Sequence, residues 1–162
     1  VSSLIVRHNI EVAHRLYESI PGDKCENIHG HSMLVELAIH GHVDSKGLLE
    51  GLSFGEVKRS FRGYLDEWFD HHLLLNGKDP LAGFLATKSN IDAYYTEGIP
   101  QEFWTLPGLQ DMDGDPTTEN IAKWIAEWCT DTFHLMCDVT VHETAVNAAK
   151  VCAKPNGGTN AS

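Results

Sequence analysis

The chain has 162 residues, 42% hydrophobic and 22% charged, which is enough for one ordinary domain that buries its own core. Its formal charge of -11 excludes the basic field that nucleic acid or an anionic membrane surface requires, so any anionic substrate must be met by local positive groups. No apolar run reaches the length of a membrane span or a secretory core, and Cys25, Cys129, Cys137 and Cys152 are too scattered for a disulfide scaffold, so the expectation is a cytoplasmic protein with reduced thiols.

Leu4, Val6, His8, Ile10, Val12 and His14 share one parity, and Arg7, Asn9 and Glu11 take the other, so Ser3 to Arg15 reads as a half-buried strand. After a loop containing Pro21 and Gly22, alternation resumes from His29 to Val43, with His31, Met33, Val35, Leu37 and Ile39 on one face. Ser53 and Glu56 form a capping box, and Phe54, Val57, Phe61, Leu65 and Trp68 make a helical stripe up to about Phe69. Residues 73 to 115 lack a clean period and read as a long connection with one short helical turn around Pro80 to Lys88. Thr117 is the expected N-cap of a second helix, whose stripe is Ile121, Trp124, Ile125 and Trp128. Strands follow at Asp138 to His142 and roughly Ala145 to Cys152. Residues 1-154 are expected to form a single domain and 155-162 a disordered tail.

This order predicts an α+β fold: a four-stranded antiparallel sheet with both helices on one face. Two open edges and one uncovered face predict a homo-oligomer.

If the first two strands pair through the loop of residues 16 to 28, His14 comes beside His29 and His31. Positions i and i+2 of a strand point the same way, about 6 to 7 Å apart, so two imidazoles can grip one ion. Three neutral nitrogens leave one position of a tetrahedral zinc open, as in catalytic rather than structural sites. Cys25 has three readings: a small buried hydrophobe, a fourth ligand that closes the site, or a thiol activated as base or nucleophile by the metal. Its spacing admits all three. His40 and His42 repeat the His-Gly-His spacing, but on the opposite parity and about 30 Å farther along an ideal strand. They read as solvated imidazoles at a strand end. Asp70 followed by His71 suits proton transfer, against the plainer reading of solvated charges at a helix end. Glu143, at a strand end, is either a surface carboxylate or an acceptor for two parallel hydrogen bonds from a guanidine-like ring edge.

Six motifs in one order carry a resemblance. They are His14 in Val-Ala-His-Arg-Leu, Cys25 to His31, Phe54 to Lys58, Asp70-His71 with Leu75-Asn76, Pro116 to Asn120, and Val141 to Thr144. Together they resemble the family of 6-pyruvoyltetrahydropterin and 6-carboxytetrahydropterin synthases from about Asn9 to Thr144. The resemblance implies the tunnelling fold, in which three subunits close a twelve-stranded barrel and two trimers stack into a hexamer, with sites between subunits. It implies Zn2+ held by His14, His29 and His31, with a small pterin triphosphate as substrate. Cys25 would be the general base, with Asp70 and His71 completing the proton relay. Glu143 would anchor the pterin, helped by Thr117 and Thr118, with Glu119 a further candidate.

The three-residue gap between Cys25 and His29 resembles the carboxy branch of the queuosine and 7-deazaguanine pathway. That branch converts 7,8-dihydroneopterin triphosphate to 6-carboxy-5,6,7,8-tetrahydropterin, releasing acetaldehyde and triphosphate. The runner-up is the pyruvoyl branch, and the non-enzymatic alternative is a zinc-binding structural module. A folate-linked branch places a glutamate where Cys25 stands. Ser53 replaces an aspartate common in relatives, the connection between Asn76 and Pro116 is longer than usual, and Arg15 and Lys24 are the nearest cations for a triphosphate.

Overall fold

The computed structural model describes residues 1–86 and 114–155. In chain order the elements are β1 (Ser2–His14), a 3-10 turn (Lys24–Glu26), β2 (His29–Gly41), α1 (Phe54–Trp68), β3 (His72–Leu74), α2 (Pro80–Ala86), α3 (Thr118–Phe133), β4 (Met136–His142) and β5 (Ala148–Ala153). The sheet order is β3-β1-β2-β4-β5.

The expected antiparallel strands are present, joined by a fifth that the alternation did not reveal. β3 pairs parallel with Val12 to His14, and three residues are too few to display a period of two. The β1–β2 register sets His14 opposite His29 and Val12 opposite His31, so the pairing inferred from parity is the pairing formed. On its β3 side, β1 up to residue 11 has no strand partner among the described residues, and β5 is the opposite edge.

One face of the sheet is apolar because alternate residues of β1, β2 and β4 are apolar. Ile10, Met33, Val35, Leu37, Ile39 and Val139 are fully buried there against Val57 and Leu65 of α1 and Ile121 and Ile125 of α3. Tyr64 stacks flat on Trp128 at 3.9 Å between ring centroids, joining the two helices.

α1 begins at Ser53, whose hydroxyl oxygen accepts from Glu56 N–H while the Glu56 carboxylate accepts from Ser53 N–H. Phe54 departs from the expected stripe: at the first helical position it is 60% exposed. α3 begins at the expected Thr117 cap and ends at His134, which takes the left-handed conformation at φ 55°. The helical turn expected around Pro80 to Lys88 is α2, ending at Ala86. The rest of the expected long connection up to residue 113, and the expected tail apart from Pro155, lie outside the described residues. No described helix is long and apolar enough to cross a membrane.

Candidate metal centre and active site

β1 ends and β2 begins at the same edge of the molecule, and their register turns three imidazoles toward one point. The candidate ligand atoms of His14, His29 and His31 lie within 4.8 Å of one another, the one such group of histidine, cysteine and carboxylate ligands among the described residues. Ring centroids are 4.5 to 5.1 Å apart.

The hydrogen bonds behind the rings fix which nitrogen faces the centre. His14 Nδ1 lies 2.7 Å from the Pro116 carbonyl and His29 Nδ1 lies 2.8 Å from the Asn27 carbonyl. A carbonyl only accepts, so both Nδ1 atoms carry the proton, and in the neutral rings that ligate a metal both Nε2 atoms offer lone pairs. Those two Nε2 atoms stand 3.1 Å apart, two acceptors face to face. A cation between them relieves that repulsion, and nitrogens bound tetrahedrally at zinc distances are separated by about 3.3 Å. The three residues therefore fit a metal ion. His14 is 1% exposed, and burial holds its pKa below the ordinary value; the Pro116 bond opposes this and the other two imidazoles reinforce it. Burial thus favours the neutral, ligating form of the ring.

Glu143 follows β4, and its Oε1 lies 3.7 Å from His31 Nε2, so the expected anchor is beside the metal group. Thr117 and Thr118 open α3, directly after the Pro116 carbonyl that holds His14. The Thr117 hydroxyl oxygen accepts from Asn120 N–H, while Glu119 is exposed.

Cys25 sits in the 3-10 turn, and its carbonyl accepts from Leu16 N–H at 2.8 Å, two residues beyond His14. The side chain is half-buried and unpaired in any disulfide. Asp23 caps this turn through Cys25 N–H at 2.9 Å, and its carboxylate pushes the nearby thiol pKa up. Cys25 is therefore held as a thiol in the protein's own field. Cys129 and Cys137 are buried hydrophobes, their thiols pushed up by burial.

Asp70 and His71 occupy the turn before β3. Asp70 Oδ1 accepts from Glu11 N–H at 2.8 Å, and His71 N–H donates to the Glu11 carbonyl at 2.7 Å. This clamp holds His71 at φ 57°, a left-handed conformation costing about 1 kcal/mol or more in a residue with a side chain. The other Asp70 oxygen is 3.7 Å from His71 Nε2, too far for a hydrogen bond, and the imidazole is 80% exposed. A cleft of about 510 Å³ runs between this turn and the metal strands, lined by Gly30, His31 and Ser32 on one side and His71 and His72 on the other. Gly30 keeps its floor low, since a Cβ there would come within 3.3 Å of the Val12 carbonyl.

Two readings of the sequence change. His40 is not a solvated imidazole: it lies in β2 with Nδ1 2.9 Å from Ser3 Oγ and Nε2 3.3 Å from Asp138 Oδ2, while His42 is exposed. Arg15 is not a free cation for a triphosphate. Its guanidinium makes two bonds, of 2.6 and 2.5 Å, to the buried Asp79 carboxylate, leaving Lys24 exposed on the turn.

The backbone carbonyls of Asn27 and Pro116 and the carboxylates of Asp79 and Asp115 were not singled out in the sequence. Asp115-Pro116 before a capping threonine is a turn signal, but its use in orienting a histidine about a hundred residues away is a tertiary fact.

Residues 3–154 match the family model for 6-pyruvoyl tetrahydropterin synthase. Among curated proteins, the chain is 30% identical over 119 residues to a 6-carboxy-5,6,7,8-tetrahydropterin synthase of Rickettsia conorii, covering 72% of this chain and 71% of the relative. It is 29% identical over 102 residues to the protein of that name from Rickettsia bellii, covering 62% of this chain and 61% of the relative. Among solved structures, the 6-pyruvoyl tetrahydropterin synthase of Caenorhabditis elegans superposes with a TM-score of 0.61 at 20% identity, covering 94% of this chain and 96% of that one. The Plasmodium vivax structure of the same name gives 0.61 at 18% identity, covering 94% and 98%. A five-stranded mixed sheet with its helices on one face, and a histidine triad at the end of its first hairpin, agree with these likenesses: the chain belongs to the 6-pyruvoyl tetrahydropterin synthase family and has its tunnelling fold.

Proposed function

We propose that this chain is a zinc-dependent lyase converting 7,8-dihydroneopterin triphosphate to 6-carboxy-5,6,7,8-tetrahydropterin, with release of acetaldehyde and triphosphate. The observation that carries the reading is the convergence of two Nε2 lone pairs 3.1 Å apart, each imidazole fixed from behind by a backbone carbonyl. His14, His29 and His31 would hold zinc with one position left for substrate, where the ion supplies Lewis acidity to the side-chain hydroxyls. The curated relatives named for the carboxy product, and the three-residue gap between Cys25 and His29, favour this branch and the queuosine pathway.

The chain's own residues divide the remaining work. Cys25, as the thiolate that a nearby zinc would favour, takes the carbon-bound proton of the substrate side chain. Asp70 and His71 return protons; the Glu11 clamp fixes their backbone, and the exposed imidazole is free to turn toward the cleft. Glu143 accepts two hydrogen bonds from the ring nitrogen and amino group of the pterin, next to His31. The Thr117 and Thr118 hydroxyls, and with less burial Glu119, add polar contacts at the start of α3. The functional unit is the domain 1–154, working in the cytoplasm as a trimer or hexamer, with the open strand edges as the joining surfaces.

The test is incubation of zinc-loaded protein with 7,8-dihydroneopterin triphosphate, with products identified by mass spectrometry. Carboxytetrahydropterin with acetaldehyde is the expected result, and Cys25→Ala is expected to keep zinc and lose turnover. A pyruvoyl product would move the chain to the other branch. No turnover together with zinc that has no exchangeable ligand would make it a structural zinc module.

A further inference from the structure

The segment from Arg15 to Ser19 joins the metal ligand His14 to the loop that carries Cys25, and it belongs to no helix or strand. Two buried carboxylates grip it. Asp79, 1% exposed, takes the Arg15 guanidinium on both oxygens. Asp115, 2% exposed, accepts on one oxygen from the backbone N–H groups of Glu18 at 2.8 Å and Ser19 at 2.6 Å, and on the other from Asn76 Nδ2 at 2.8 Å. The carbonyl of Asp115 accepts from Asn120 Nδ2, which locks the carboxylate to the start of α3. The next carbonyl, that of Pro116, holds His14.

We infer that Asp115 is a positioning residue: through Glu18 and Ser19 it sets where the Cys25 loop stands relative to the three histidines. One dipeptide thus orients a ligand with its backbone and the loop of the base with its side chain. A reacting group displaced by about 1 Å loses on the order of a hundredfold in rate, which is why such a base needs a rigid mount. Burial alone would raise the Asp115 pKa, but the bonds from Asn76, Ser19 and Glu18 bring it down to about 2, so the carboxylate is charged and fully accepting at neutral pH. Asn76 makes a second tie to the loop through the Glu18 carboxylate at 3.2 Å.

The inference rests on the reading of Cys25 as the base, and its test separates the two. The variants are Asp115→Ala, Asp115→Asn and Asn76→Ala, each loaded with zinc. The readouts are zinc content, kcat, KM, and the rate at which iodoacetamide alkylates Cys25, followed on its own peptide by mass spectrometry. Asp115→Ala is expected to keep its zinc and its KM, lose about 10- to 100-fold in kcat, and change the alkylation rate of Cys25. Asp115→Asn restores part of kcat, because its amide oxygen can accept both loop N–H groups while its Nδ2 no longer accepts from Asn76. Asn76→Ala, which removes one of three bonds, shifts both readouts less and in the same direction, and stands in if Asp115→Ala does not fold. Unchanged kcat and alkylation in the folded variants would overturn the inference, as would loss of zinc in step with activity, or an Asn variant as impaired as the Ala one. If the wild type turns over no pterin, the proposed reaction fails while the alkylation rates still decide the role of Asp115.

Discussion

His14 and His29 face each other through unprotonated nitrogens because two backbone carbonyls, from Pro116 and Asn27, claim their other ring protons. The candidate ligands were legible in the sequence, since strand parity and pairing bring His14, His29 and His31 together and leave His40 on the other face. What orients them was not. A carbonyl carries no residue identity, and Pro116 reaches His14 only after the whole sheet has formed. The same holds for Arg15, which reads as a free cation until the fold buries Asp79 beneath it. Asp115 offers a measurable consequence. Its folded pKa of about 2 lies below the ordinary 3.8, so its carboxylate contributes stability that is complete above pH 4 and is lost as pH falls toward 2. The difference in unfolding free energy between wild type and Asp115→Asn, measured by urea titration of metal-free protein, is expected to shrink by about 2 kcal/mol across that window. A difference that stays constant with pH would show that the charge is not what those bonds hold.

Among the elements, those with a full period or a cap were readable and those set by long-range pairing were not. β1 and β2 alternate over thirteen residues each, and both main helices start at residues whose side chains cap them. β3 is invisible in the sequence because a three-residue strand is created by its neighbour, here by the hydrogen bonds of Asp70 and His71 to Glu11 and the pairing that follows. The α1 cap is the clearest local device. Ser53→Ala removes the acceptor for Glu56 N–H and the donor to its carboxylate, and is expected to lower stability by about 1 kcal/mol in thermal or urea unfolding. Zinc binding is expected to stay unchanged, because the start of α1 lies by Ser2 to Leu4, at the opposite end of β1 from His14. Lost zinc affinity in that variant would mean that the helix start and the metal strands are coupled.

At the scale of the whole molecule, a sheet with one covered face and, among the described residues, two unpaired edges asks for partners of its own kind. Light scattering is expected to report three or six times the chain mass of 18.0 kDa, and a monomer at micromolar concentration would contradict the proposed assembly. The net charge of -11 fits this picture if the cationic centre of each site is the metal itself, because Arg15 is already spent on Asp79. Everything proposed about the chemistry then depends on a metal held by three nitrogens and open at the fourth position, with Cys25 beside it and not bound to it. X-ray absorption at the zinc edge of the loaded protein tests this most directly. Nitrogen and oxygen neighbours are expected at about 2.0 to 2.1 Å, one of them exchangeable, with no sulfur. A sulfur neighbour at about 2.3 Å would make Cys25 a ligand, close the site and rule out its role as the base.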